Sequence, residues 1–211
     1  MFKPPMFVEE REEVIHDLIH SNSFGTLISL EDGELAADHL PLLFKPHLGE
    51  KGVLHAHISK GNSLLKKHEA GQKVMVIFHG THHYISPSWY ASKAEHEKVV
   101  PTWNYAVVHV HGTLKIIEDH DWLLNHINEQ TDANEQHYET PWKVSDAPEK
   151  YIEGQLKGIV GVEIEITRFE GKWKMSQNKN TADKKGIVKG LSDEDNDSAK
   201  KMSEMISEII D

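Results

Sequence analysis

The chain has 211 residues, 38% of them hydrophobic and 27% charged, which suits a globular domain with a packed core. Lys and Arg number 23 against 34 Asp and Glu, and the resulting net charge of −11 argues against broad attraction to phosphate backbones or anionic membranes. There is no cysteine, which excludes disulfides, thiolate metal sites and a cysteine nucleophile.

The opening "MFKPPMFVEEREE" lacks the apolar centre of a signal peptide, and no apolar run approaches the length of a membrane span, so a cytoplasmic protein is expected. After Pro4 and Pro5, residues Val14, Ile15, Leu18 and Ile19 share one face of a predicted helix that stops in "SNSFG". "GTLISL" and "LAADHLPLLF" read as strands around Asp32-Gly33, a two-residue hairpin signal. "VLHAHIS" is a further strand, and "LLKKHEAG" a short helix closed by Gly71. "KVMVIFHG" and "HYISPSW" predict two strands bent at Gly80-Thr81.

"YAVVHVHGTLKII" predicts a strand, and "DWLLNHINEQ" and "APEKYIEGQL" predict helices. In "IVGVEIEITRFEG", Val160, Val162, Ile164 and Ile166 fall on one strand face and Gly161, Glu163, Glu165 and Thr167 on the other. An acidic joint, "SDEDNDS", begins at Ser192, and Met202, Met205, Ile206 and Ile209 then recur at helical spacing. Successive strands with short helices predict a β-barrel with peripheral helices, an α+β arrangement, rather than a doubly wound sheet.

Three groups of residues suggest chemistry. In "HAHISKGNSLLKK" a strand gives way to a helix across Ser59, Lys60, Gly61 and Asn62, and amides at a helix start with a hydroxyl and an ammonium suit a phosphate. The same turn also reads as an ordinary capped loop. His55 with His57, and His109 with His111, lie at i and i+2 and face one way, an arrangement able to hold a metal or, singly, a haem iron. No third ligand stands at a diagnostic spacing, so no metal site is predicted.

Tyr84, Ser86, Trp89, Trp103 and Asn104 combine flat apolar surface with hydrogen-bonding groups, as a planar heteroaromatic ligand requires. They equally suit a barrel end or a dimer seam. No nucleophile elbow, Walker loop, dinucleotide motif, zinc-protease helix or basic helix-turn-helix is present.

In order, "NSFGTLIS", "HLPLLF", "HAHISKGN", "IFHG", "YISPSWY", "VPTWNYAVVHVHGTL" and "GIVGVEIEI…EGKWKMSQNK" resemble the PaiB family of FMN-binding negative transcriptional regulators, from Met1 to about Leu191. The resemblance implies an FMN-binding split β-barrel of the pyridoxamine-phosphate-oxidase type, homodimeric, with FMN in a cleft shared by two subunits. It implies an FMN-binding domain over residues 1–191 and a C-terminal acidic segment and amphipathic helix over 192–211. His57, Ser59, Lys60 and Asn62 are then expected at the FMN phosphate, and Tyr84, Ser86 and Trp89 beside the flavin or its ribityl chain. Lys174, Gln177 and Asn178 are expected to reach it from the partner subunit, with Trp103, Asn104 and Tyr105 at the dimer seam or flavin edge.

The chain departs from the family pattern where Ser59-Lys60 replaces an arginine-type side chain, since lysine binds phosphate without a bidentate fork. The implied role is repression of protease production and sporulation of the kind known in bacilli. With no DNA-binding motif in view, action through a protein partner is expected ahead of direct contact with promoter DNA. A flavin-dependent oxidoreductase or flavin reductase, and a haem-binding or haem-degrading split barrel, are the alternatives.

Overall fold

Long runs rich in β-branched residues, punctuated by glycine and proline, set the sheet of this protein. The computed structural model describes residues 1–210. In chain order the elements are β1 (Val8–Glu9), α1 (Glu12–Ser21), β2 (Phe24–Glu31), β3 (Glu34–Pro41), β4 (Leu43–Lys45), β5 (Val53–Ser59), α2 (Ser63–Lys67) and β6 (Lys73–Ile85). There follow α3 (Lys93–His96), β7 (Thr102–Ile117), α4 (His120–Glu135), α5 (Glu149–Leu156), β8 (Ile159–Lys174), α6 (Thr181–Ser192) and α7 (Asp197–Ser207). The strands form an antiparallel sheet in the order β3-β2-β6-β7-β8-β5-β4, with β1 added on β8. Among the described residues no helix is long and apolar enough to cross a membrane.

The chain packs as two compact units. A central unit holds Ile19–Phe78 and Val110–Phe169, and a terminal unit holds Met1–Leu18, His79–His109 and the chain from Glu170 onward.

In the central unit, Asp32 and Gly33 take φ of 53° and 84°, the paired left-handed conformation of a tight hairpin, and fix the β2–β3 register at Glu31↔Glu34. β5 pairs with β8 from Val53↔Glu165 to Ser59↔Ile159. Alternation along these two strands buries Leu54, Ala56, Ile58, Val160, Val162 and Ile164, as their apolar spacing demands. The opposite face carries His55, His57, Gly161 and Glu163. Trp122 of α4 lies over Gly161, where any Cβ would run into the indole.

One helix is shorter than its sequence suggests. α2 stops at Lys67 because His68 turns extended, its N–H bonding back to Leu64, so Gly71 belongs to the turn before β6. The terminal unit holds a second difference: β6 is one continuous strand through Gly80-Thr81, not two strands around a bend. A Cβ on Gly80 would come within 2.9 Å of Leu18 Cδ1 and 3.2 Å of Ala106 Cβ, so this glycine serves close packing rather than a turn.

Past Ile85 the segment Pro87–Trp89 winds into a single 3-10 turn, capped where Ser88 N–H donates to Ser86 Oγ. Helices α6 and α7 pack on each other, with Ile187, Leu191, Ala199, Met202 and Ile206 fully buried. Ser203 Oγ donates to Val188 O, and Lys184 Nζ to Ile209 O, which fastens the last helix in place.

Candidate functional site

The terminal unit presents an aromatic face. Tyr84 and Trp103 stand 42% and 53% exposed on adjoining strands, their rings edge-on at 6.2 Å, and His82 lies 5.8 Å from Trp103. Beside them runs a groove of about 430 Å³ lined by His79, His82, Trp103, Tyr105 and Ala106, within the span of small-molecule pockets. Lys174, at the end of β8, donates to Trp103 O at 2.8 Å and to Thr102 Oγ1. Burial holds its ammonium pKa below the ordinary range.

The remaining residues expected at this site support it from behind or spend their polar atoms locally. Asn104 is fully buried and exchanges two hydrogen bonds with Ser176, whose φ of 60° marks the turn after β8. Gln177 accepts from Met175 N–H and donates to Trp173 O, so both ends of its amide lock that turn. Asn178 is exposed. Trp89 lies against Gly186 and Gly190 of α6 and stacks with His83 at 6.4 Å.

The predicted phosphate turn belongs to the central unit, and its backbone donors are already engaged. Lys60 N–H bonds Gly158 O, Gly61 N–H bonds Ser59 Oγ, and Asn62 N–H bonds Ser59 O. Asn62 caps α2 by accepting from Leu64 N–H, and its amide donates to Asp38 Oδ1 at 2.7 Å. The groups left to face an anion are the exposed side chains of Ser59 and Lys60.

His57, expected with that turn, faces elsewhere. Its Nδ1 lies 3.2 Å from Nε2 of His126 on α4. Trp122, one turn earlier on α4, stacks on His126 at 5.3 Å and meets the His55 ring at 4.8 Å. His55 Nε2 is 3.2 Å from Glu163 Oε2, and Lys115 Nζ holds the other carboxylate oxygen at 3.1 Å. Desolvation pushes the pKa of His55 and of His57 down, and that of His126 to about 3, where His57, His55 and Lys45 add repulsion. His126 escaped the sequence reading; its spacing of four from Trp122 on a helix, which puts both on one face, was the available signal.

An antiparallel sheet with flanking helices thus carries a groove of small-molecule size walled by Trp103, Tyr105 and histidines. The family model described as "Putative FMN-binding domain" matches residues 1–168. The chain is 34% identical over 208 residues to Protease synthase and sporulation protein PAI 2 of Bacillus subtilis (strain 168), spanning 99% of this chain and 97% of that protein. It is 31% identical to Uncharacterized protein AN0679 of Emericella nidulans, over 99% of this chain and 97% of that one. The fold is shared with the FAD and heme binding protein from Mycobacterium smegmatis, at a TM-score of 0.58 and 16% identity over 79% of this chain and 73% of that chain. The chain belongs to the PaiB family of FMN-binding split-barrel proteins.

Proposed function

We propose that this protein is an FMN-binding negative regulator of the PaiB type, acting in the cytoplasm as a homodimer through a protein partner. The observation that carries the reading is identity of 34% along 99% of the chain to PAI 2, together with the FMN-binding family match. The net charge of −11 favours a protein partner over a DNA backbone.

The residues present fit the cofactor in part. Half-exposed Trp103 and Tyr84 offer flat surfaces for the isoalloxazine ring, and Lys174 orders the Trp103 backbone beside them. In the central unit, Ser59 and Lys60 offer an anion their side chains alone, because the Lys60, Gly61 and Asn62 amides are spent. Exposed Phe2, Met6, Tyr84 and Trp103 supply apolar area suited to the seam between two copies. FMN when bound supplies redox chemistry; the chain's own residues bind and orient it. We assign the cofactor domain to residues 1–191 and the remaining 192–211 to a fastening segment.

The freshly purified protein is expected to show a flavin spectrum and to release FMN on denaturation. Release of another chromophore, or of none after incubation with excess FMN, would overturn the cofactor assignment. Lys60→Ala is expected to weaken FMN binding by about 1.5–3 kcal/mol, the worth of one charged hydrogen bond, in a fluorescence titration. Expression in a B. subtilis strain lacking PAI 2 tests the regulatory half: restored control of secreted protease supports it, and unaltered secretion opposes it.

A further inference from the structure

The negative charge of the chain is unevenly spread. Residues 118–156 hold ten Asp and Glu against two Lys, so eight of the eleven net negative charges belong to this one stretch of the central unit. The same stretch folds into α4, the 3-10 turn Val144–Asp146 and α5, which together line a groove of about 400 Å³. We propose that this groove docks a basic amphipathic segment of a protein partner, with the apolar side chains of that segment in the groove and its Lys and Arg on the surrounding carboxylates and aromatic rings. The inference rests on the reading that the chain acts through a protein partner, and gives that partner a chemistry.

Local structure accounts for only part of the acidity. Asp119 caps α4 by accepting from Trp122 N–H, and Asp121 and Glu149 lie in first turns, where the helix dipole favours a carboxylate. Asp132 and Glu135 stand in the last turn of α4, where the dipole opposes them and no basic residue offsets them. Of the ten carboxylates, ion pairs among the described residues engage three: Glu129 with Lys45, and Asp121 and Glu153 with His120. Asp132, Glu139 and Glu149 are exposed and offer their charge to solvent or to a partner.

Apolar surface lies in the same place. Leu124, Val144, Ala147 and Ile152 give the groove apolar walls, and Glu149 and Glu153 complete its lining. The elements that form it also leave Tyr138, Trp142 and Tyr151 65%, 45% and 59% exposed. Charge carried for solubility alone would not be joined to large apolar side chains; apolar surface set among polar groups marks a docking site. Aromatic faces attract ammonium and guanidinium groups at contact, and the carboxylates attract them from further away. Anionic lipid and nucleic acid are repelled by the same field. A helix with apolar residues on one face and Lys or Arg on the other satisfies groove, rings and carboxylates together.

The test titrates the full-length protein into a fluorescent peptide of leucine and lysine, arranged as an amphipathic helix, and reads anisotropy. Saturable one-to-one binding that weakens with added salt is expected. A peptide with glutamate in place of lysine should not bind, and one scrambled to lose its apolar face should bind about tenfold more weakly. Glu139→Lys combined with Glu149→Lys, and Trp142→Ala combined with Tyr151→Ala, should each lower affinity by about tenfold. The peptide arms need only the wild-type chain, so they decide the matter whichever variant folds. No binding by the wild-type chain overturns the proposal, as does equal binding of the scrambled peptide or an affinity untouched by both double changes. Sedimentation in which the charge reversal dissolves a dimer overturns it too, because a second copy would then occupy this face. A peptide that fails to bind a chain able to restore protease control in B. subtilis refutes this inference alone; binding without restored control refutes the regulatory reading alone.

Discussion

His126 carries a cost at the scale of the single residue. An ordinary imidazole protonates near 6.5, whereas this one holds off until about 3 because burial opposes its charge. The unfolded chain therefore takes up a proton that the folded chain refuses. The stabilisation is complete above pH 6.5 and drains away as pH falls from there toward 3, at up to about 1.4 kcal/mol per unit. His55 and His57, displaced in the same direction, add to the slope. Urea midpoints at pH 7 and pH 5 should differ less for His126→Gln than for the wild type. A variant with an unaltered difference would contradict the assignment.

Single residues also show where reading the chain succeeds. Asp32-Gly33 announces its hairpin because a turn of two left-handed residues is a local property of two side chains. Gly80 misleads for the opposite reason: a glycine that admits Leu18 and Ala106 looks, in one dimension, like a glycine that turns the chain.

Among elements, the contact of Trp89 with α6 is the most exacting. Gly186 and Gly190 lie one turn apart on that helix, and Trp89 occupies the space their side chains would take. Gly190→Ala drives a methyl group into the indole and should cost about 1–3 kcal/mol despite the better helix propensity of alanine. Thermal unfolding measures it; a stabilised variant would mean that Trp89 readily leaves α6. The strands β5 and β8 were legible because alternation of Val160, Val162 and Ile164 follows a period that burial on one face imposes. The partners of their other face were not. His126 reaches His57 across 69 residues, and no local pattern encodes so distant a meeting. The aromatic residues around Trp103 were found by composition, but the internal bonds of Asn104 and Gln177 emerge only from the turn at Ser176.

For the molecule entire, the last helix decides how much chain is needed. Met202 and Ile206 are fully buried, and burying two such side chains is worth about 3–6 kcal/mol together. A chain ending at Leu191 should melt well below the full protein, since Ile187 and Leu191 lose their cover; equal melting temperatures would show that α7 is dispensable. The hairpin tip between β2 and β3 offers a practical use. Gly33 has nothing within 4 Å of the position a side chain would begin from, neighbouring Glu34 points to solvent, and the natural chain contains no thiol. Glu34→Cys would therefore create one uniquely reactive handle, so that a dye or spin label attached there reports on a single known address.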